Sequence, residues 1–183
     1  MKWDKFIELN DVGKKYQLAD FESDTLMDPE IRNLGIAWAQ KPSKSLVLFG
    51  DTGRGKTHFM YALIRKIVEK YSLACVRFFK SKKLDDRLLE EFKKHGTNSY
   101  FIEIVIEVSV LLIDDFGIER PTERSSRDMY EIIDGRLEHQ RPTVISTNLS
   151  DSDIEEIYGK RILSRLKEYV WLNFEGDDLR GKI

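Results

Sequence analysis

The sequence predicts an α/β protein in which a five-stranded parallel sheet is covered by helices on both faces, as a three-layer sandwich. Short apolar runs bounded by turn residues alternate with longer segments of helical period, which is typical of strands and helices in turn. A glycine-rich loop joins the first apolar run to an amphipathic segment. The chain has 183 residues, of which 41% are hydrophobic. This length predicts one buried core and is too short for two domains of ordinary size.

Composition and charge exclude several classes of protein. Thirty basic and 32 acidic side chains leave a formal charge of -2, so any contact with DNA must come from a local patch. Cys75 is the only cysteine, which excludes a disulfide within the chain. No stretch approaches the roughly 18 apolar residues of a membrane span, and charged residues interrupt the N-terminus. We therefore expect a cytoplasmic protein that makes no membrane contact.

The elements follow in chain order. Residues 1–40 have weak periodicity and are interpreted as a lead-in segment, whereas residues 41–183 are expected to form the functional domain. The five predicted strands are rich in β-branched or aromatic residues. They are residues 45–49, 74–79, 109–113, 143–146 and 170–174.

Three segments between these strands have apolar stripes at helical spacing, which predict core-facing helices. The first stripe is Met60, Leu63, Ile64, Ile67 and Tyr71, and another is Met129, Ile132, Ile133 and Leu137. The third lies in the charged segment 80–95 and consists of Leu84, Leu88, Leu89 and Phe92. The charges of that segment are interpreted as a solvated face.

The loop after the first strand fits the spacing G-x-x-x-x-G-K-T, as Gly50, Asp51, Thr52, Gly53, Arg54, Gly55, Lys56 and Thr57. Its glycines permit positive φ angles and close backbone approach, so that consecutive N–H groups can surround a phosphate at a helix N-terminus. Lys56 is expected to reach the β- and γ-phosphates, and the Thr57 hydroxyl to ligate Mg²⁺. The loop therefore predicts a site for ATP and magnesium.

The strand at 109–113 ends abruptly in Asp114 and Asp115. Because two adjacent buried carboxylates are costly without a cation, we expect Asp114 to bind the magnesium and Asp115 to polarise the attacking water. Asn148 follows the strand at 143–146, at the edge of the sheet where ligands bind in open α/β folds. It is a candidate for positioning that water, although an Asn before an acidic segment is also typical of a turn.

Four stretches resemble the AAA+ ATPases, and in detail the helicase-loader branch typified by DnaC and DnaI, with IstB as close kin. They are Gly-Lys-Thr-His at 55–58, Leu-Leu-Ile-Asp-Asp-Phe-Gly at 111–117, Ile-Ile-Asp-Gly-Arg-Leu at 132–137 and Arg-Pro-Thr-Val-Ile-Ser-Thr-Asn at 141–148. The resemblance covers nearly the whole chain. It places His58 in the nucleotide-binding motif and makes Lys56, Asp114 and Asn148 members of the Walker A, Walker B and sensor 1 motifs.

The resemblance adds functions that the spacing of the residues does not show. Arg165 matches an arginine finger that completes the site of a neighbouring subunit, so the chain is expected to self-associate. Arg180 resembles the sensor 2 residue, and the segment 18–21 is expected to contribute to the adenine pocket. Two departures from the family are expected: the sequence has no room for the N-terminal domain by which such loaders bind the helicase, and it lacks the C-terminal helical lid of many AAA+ proteins. Helicase binding would then have to come from residues 1–40.

The leading interpretation is a DnaC-like ATPase that acts in DNA replication, with a replicative DNA helicase and single-stranded DNA as partners. An IstB-like transposition helper, a small-molecule kinase and an ATP-dependent interaction protein stay open. The kinase leaves Asp115 and Asn148 unexplained. Candidate DNA contacts are Lys80, Lys82, Lys83, Lys93 and Lys94, with Tyr100, Phe101 and Phe116 as candidates for base stacking.

Overall fold

The computed structural model describes residues 2–10, 12–24, 26–176 and 178–179. In these residues, five strands alternate with eight α-helices. The strands are β1 (Leu46–Phe49), β2 (Val76–Lys80), β3 (Val110–Phe116), β4 (Thr143–Thr147) and β5 (Val170–Asn173). The helices are α1 (Lys2–Asn10), α2 (Pro29–Gln40), α3 (Lys56–Lys70), α4 (Ser81–His95), α5 (Ser99–Glu107), α6 (Glu123–Glu138), α7 (Asp151–Tyr158) and α8 (Lys160–Leu166).

The strands form one sheet in the order β2-β3-β4-β1-β5, and every neighbouring pair is parallel. All their carboxyl ends therefore meet at one edge, where the loops that follow β1, β3 and β4 lie side by side. The predicted α/β fold with a five-stranded parallel sheet is confirmed.

The sheet separates two hydrophobic clusters because alternate strand residues point to opposite faces. Leu46 and Leu48 of β1 contact the cluster built around α3, whereas Val47 contacts the cluster built around α4 to α8. This alternation is why the strands read as continuous apolar runs rather than as alternating ones. Both faces of the sheet are therefore buried.

Residues of the predicted lead-in segment pack on the same core. Trp3, Phe6, Phe21 and Trp38 are buried in the cluster that contains α3. A row of ion pairs along α3 reinforces this packing, and it joins Arg65 and Lys66 to Asp20, and Lys66 to Glu22. His58 of the same helix lies beside Asp24. Helices α1 and α2 thus belong to the same hydrophobic cluster as β1.

Some details of the predicted helices were wrong. Tyr71 lies beyond the end of α3 and is 41% exposed, with its hydroxyl donating to the carbonyl of Gln40. Leu89 and Phe92 are 41% and 42% exposed, because α4 buries a narrower face than the apolar stripe predicted. The guanidinium of Arg124 covers Phe92 from 4.0 Å. Lys80 ends β2 rather than beginning α4.

Candidate nucleotide site

The loop between β1 and α3 has the backbone geometry that the glycine pattern predicts. Gly50, Gly53 and Gly55 have φ angles of 143°, 87° and 89°, and Gly55 is the N-cap of α3. No side chain caps this helix end. Its first backbone N–H groups therefore remain available to an anion at the positive end of the helix dipole.

The Lys56 ammonium group lies inside this loop. It donates hydrogen bonds to the carbonyl of Gly50 and, at 2.8 Å, to that of Asp51. Partial burial lowers the pKa of Lys56, whereas the nearby charges of Asp114 and Asp115 oppose that shift. The ammonium group is thus held between the loop and the end of β3.

Asp114 is fully buried at the end of β3. The Thr57 hydroxyl lies 3.1 Å from both of its carboxyl oxygens, and the Ser146 hydroxyl donates to one of them. Burial and the neighbouring Asp115 raise the pKa of Asp114, because both disfavour its charged form. A buried carboxylate beside a hydroxyl fits Mg²⁺, which prefers such oxygen ligands.

Protein ligands alone do not complete a metal shell here. The described ranges contain no group of three or more His, Cys, Asp and Glu side chains arranged to hold a metal ion. Mg²⁺ usually keeps several waters and takes one or two carboxylates together with substrate phosphates. The Thr57 and Asp114 pair matches that open type of site.

Asp115 differs from its neighbour in both exposure and backbone. Its side chain is 41% exposed and lines a cavity of about 560 Å³ that also contains Thr52 to His58 of the loop. Its φ angle is 60°, which is rare for a non-glycine residue. Lys80, at the end of β2, lines the same cavity with its ammonium 3.9 Å from the Asp115 carboxylate. The cavity volume lies within the range of about 300 to 1,000 Å³ that is typical of ligand sites.

The lead-in segment contributes different residues from those expected. Lys15 and Tyr16 line the cavity, and Tyr16 stacks on Tyr61 at 4.8 Å. Within the expected segment 18–21, Leu18 is 82% exposed, while Ala19 and Phe21 are buried in the core. Residues 18–21 do not line this cavity, and the lining residues Lys15 and Tyr16 belong to the preceding 3₁₀ turn at Lys14–Tyr16. No spacing or motif marked Lys15 and Tyr16.

The chain after β5 returns across the loop. A side chain on Gly53 would meet the Asp178 carboxylate at 2.2 Å, and the Leu179 N–H donates to the Gly53 carbonyl at 2.9 Å. Leu179 also lines the cavity. Arg180, the sensor 2 candidate, lies outside the described residues.

Of the remaining candidates, Arg54 and His58 line the cavity, whereas Asn148 and Arg165 do not. Asn148 is exposed directly after β4. Arg54 lies 3.7 Å from Asp51, and His58 lies 3.2 Å from Asp24, with its pKa lowered by burial. Arg165 on α8 donates to the Asp134 carboxylate of α6 rather than entering the cavity.

Two further findings concern the candidate partners. Among the described residues, no helix is both long and apolar enough to cross a bilayer. Phe116 is fully buried and stacks on Tyr158, so its candidacy for base stacking was wrong. Phe101 packs edge-on against Phe79, whereas Tyr100 is 75% exposed.

A protein-family model matches most of the chain. The family described as IstB-like ATP binding protein matches residues 5–166. The chromosomal replication initiator protein DnaA of Methylacidiphilum infernorum (isolate V4) is 30% identical over 134 residues. That alignment covers 72% of this chain and 29% of the DnaA protein, so the chain spans less than a third of that relative.

Solved structures with the same fold include two replication proteins. A crystal structure of the DnaC helicase loader has a TM-score of 0.77 and 24% identity, and the match covers 89% of this chain and 100% of that chain. The replication initiator DnaA bound to AMPPCP and single-stranded DNA has a TM-score of 0.76 and 18% identity, with 90% and 51% covered. At these identities the similarity establishes the fold.

Proposed function

Because the chain belongs to the family of IstB-like ATP-binding proteins, we propose that it binds ATP with Mg²⁺ at the loop before α3 and hydrolyses it. The loop amides and Lys56 bind the phosphates, and Thr57 and Asp114 hold the metal. Asp115 polarises the attacking water, and Asn148 helps to position it. Bound Mg²⁺ would neutralise the charge that develops on the phosphate oxygens.

One observation gives the strongest support to this proposal of ATP hydrolysis. The Lys56 ammonium, the Thr57 hydroxyl and the carboxylates of Asp114 and Asp115 converge on one side of a glycine loop with positive φ angles. Phosphate binding alone needs only the loop and the lysine. Two carboxylates beside that lysine are suited to binding a metal and activating a nucleophile, which supports hydrolysis.

Lys56→Ala tests the nucleotide site. Since a hydrogen bond to a charged group contributes about 1.5 to 3 kcal/mol, we expect ATP affinity to fall about 10- to 100-fold. Titration of fluorescent mant-ATP measures this change. Lys70→Ala is the matched control, because Lys70 lies on the same helix with its ammonium bonded to Gln40. Equal affinity in Lys56→Ala and Lys70→Ala contradicts the assignment of the loop.

For the cellular role, we propose a helper in DNA replication with a replicative helicase and single-stranded DNA as partners. The support is the similarity to the DnaC helicase loader and to DnaA bound to single-stranded DNA. The match to the IstB-like family favours a second candidate. This candidate is a transposition helper, which would be expected to bind duplex DNA. Strand preference in a binding assay separates the two.

The proposed DNA contacts lie on α4 and at the start of α5. Lys82 is paired with Asp86 and Glu119, and Lys94 is 3.9 Å from Glu90. Lys83 and Lys93 are exposed and have no carboxylate within 4.0 Å in the part of the chain that the structure describes. These two lysines can therefore bind phosphates without breaking an ion pair, and the exposed Tyr100 offers a ring for base stacking.

Replacing Lys83 and Lys93 together by alanine tests this surface. For single strands, log K falls with log salt by about 0.7 for each phosphate contact, so the slope should flatten by about that amount for each lysine lost. Fluorescence anisotropy of a labelled oligonucleotide across a salt series gives the slope. Lys41 and Lys44, exposed ahead of β1, provide the matched double variant. A salt-independent affinity, or the same slope change in both variants, excludes contacts at Lys83 and Lys93.

A further inference from the structure

The two aspartates at the end of β3 depart from regular strand geometry. In a regular strand, Asp114 and Asp115 would point to opposite faces of the sheet. The register between β3 and β4 changes here, because Ile113 pairs with Ile145 but Phe116 pairs with Thr147. β3 therefore contains one extra residue, as in a β-bulge. The bulge allows Asp114 to stay buried against Thr57 while Asp115 lines the cavity.

The backbone conformation of this bulge requires stabilising contacts. The φ angle of 60° places Asp115 in the left-handed region, which is unfavourable for residues with a side chain. Within the described ranges, Gln140 is the one other non-glycine residue with a positive φ angle. Such conformations persist only where surrounding contacts determine them, and they concentrate at functional sites.

The Ser146 hydroxyl on β4 contacts both aspartates at once. It accepts a hydrogen bond from the backbone N–H of Asp115 at 2.9 Å and donates its proton to a carboxyl oxygen of Asp114. The backbone N–H of Asp115 can only donate and an ionised Asp114 carboxylate can only accept, so the single hydroxyl proton of Ser146 is directed to Asp114. The Ser146 side chain is 1% exposed, and water therefore does not compete for these bonds.

We propose that Ser146 is a positioning residue for ATP hydrolysis, which sets the Asp114 carboxylate and the left-handed backbone of Asp115 in fixed relation to each other. This inference rests on the proposed ATPase function. Ser146 acts through the aspartates, because both of its hydrogen bonds are to them. Thr57 is also bonded to Asp114, but from α3, and it has no such bond to the backbone of Asp115. Ser146 therefore couples the metal-binding carboxylate to the water-polarising one.

The neighbouring Thr147 hydroxyl makes different hydrogen bonds from those of the Ser146 hydroxyl. Its hydroxyl donates to the Phe116 carbonyl at 2.8 Å and accepts from the Leu149 N–H at 3.1 Å. It thus bonds to the backbone beyond the bulge. A loss of Ser146 leaves this support in place, so β3 and β4 stay paired while the aspartates lose their common anchor.

Ser146→Ala tests the proposal, with Ser45→Ala as its matched control. The Ser45 hydroxyl also accepts a backbone N–H of β4, that of Thr143 at 3.0 Å, at the edge of the sheet away from the loop. Removing a side chain that orients a metal ligand typically costs about 10- to 100-fold in metal affinity or activity. For Ser146→Ala we expect kcat to fall by about that factor, and mant-ATP affinity in EDTA to stay within about two-fold of the wild type.

A binding measurement supplies a readout besides activity. In Ser146→Ala, the gain in mant-ATP affinity on adding MgCl₂ should shrink by about ten-fold, whereas Ser45→Ala should keep it. Ser146→Thr retains the hydroxyl and should recover part of both kcat and the MgCl₂ effect. Thermal unfolding of each variant, followed by circular dichroism, shows which proteins are folded at the assay temperature.

Each outcome decides the proposal. Equal effects of Ser146→Ala and Ser45→Ala on kcat, on the MgCl₂ effect and on thermal unfolding indicate a purely structural hydroxyl and overturn it. A wild-type protein that binds nucleotide without turnover removes the ATPase proposal, and the MgCl₂ effect then decides about Ser146 alone. If Ser146→Ala does not fold, Ser146→Thr decides instead: a retained MgCl₂ effect supports the proposal, and loss of the effect in the folded variant overturns it.

Discussion

In an assembled protein, we expect Arg165→Ala to lower the rate of ATP hydrolysis by about 10³- to 10⁵-fold while ATP affinity stays near that of the wild type. This is the contribution of an arginine finger where it has been measured in GTPases. Arg165 lies on α8, is 35% exposed on its side chain, and is bonded to Asp134 of α6. It does not line its own cavity. A finger role therefore requires its guanidinium to leave Asp134 and to enter the site of a neighbouring subunit.

The measurement follows from that geometry. Wild-type specific activity should rise with protein concentration, or with a DNA scaffold that gathers subunits, and Arg165→Ala should lose this rise. Mixing Arg165→Ala with Lys56→Ala should restore activity, because one variant contributes an intact nucleotide site and the other an intact finger. Arg161→Ala is the control, since Arg161 is exposed on the same helix.

One result would contradict the hypothesis that Arg165 is an arginine finger. Turnover by Arg165→Ala that equals the wild type and does not depend on concentration would indicate a self-contained site. Loss of activity in Arg161→Ala with normal activity in Arg165→Ala would move the finger to the other arginine. The Asp134 contact would then be a purely structural ion pair.

We expect Arg136→Met to reduce the free energy of unfolding by at least about 3 kcal/mol, the lower end of the cost of removing one partner of a buried charged network. Arg136 is fully buried. Its guanidinium donates to the carbonyls of Val105, Ile106 and Val108, to that of Pro142 and to the Thr143 hydroxyl, all at 2.7 to 2.8 Å. Burial lowers its pKa to about 10, so it stays charged at neutral pH.

The reason for this large effect is the number of acceptors that one side chain serves. The guanidinium holds the C-terminal end of α5 against the start of β4, at the edge of the sheet opposite the phosphate loop. Methionine fills much of the space but leaves these buried oxygens without donors. Arg136→Lys should also be destabilising, because an ammonium has three donors and no planar fork.

Urea denaturation measures the change. Arg141→Met is the matched control, because Arg141 contacts Glu107 from a partly exposed position and should cost less than about 1 kcal/mol. A free energy of unfolding for Arg136→Met within about 1 kcal/mol of the wild type would contradict the network. Mant-ATP affinity of the folded fraction should not change, since Arg136 is remote from the cavity.

The local parts of the site could be predicted from the sequence. The glycine spacing from Gly50 to Gly55 permits the positive φ angles that this loop adopts, and Lys56 begins the helix that follows the loop. The apolar run before Asp114 predicted a buried strand, and Asp114 is fully buried at its end. The match to the IstB-like family confirms the resemblance that these motifs indicated.

Other parts of the site depend on contacts between distant segments. Ser146 and Asp115 are 31 residues apart, and their hydrogen bond exists only because β3 and β4 are neighbours in the sheet. Tyr16 reaches the cavity through packing on Tyr61. Phe116, a reasonable base-stacking candidate by residue type, is buried because α7 presents Tyr158 to it.

By itself, then, the sequence determined the fold class, the phosphate loop and the presence of polar side chains at the carboxyl ends of β3 and β4. Each of these is encoded within a few neighbouring residues, through backbone freedom, apolar period and charge. Only the tertiary structure decided that Arg136 is a buried structural residue, that Arg165 is bonded to Asp134, and that a bulge at Asp115 is anchored by Ser146. Those outcomes depend on which strands and helices become neighbours, and hydrogen bonds across such pairs leave no periodic signal along the chain.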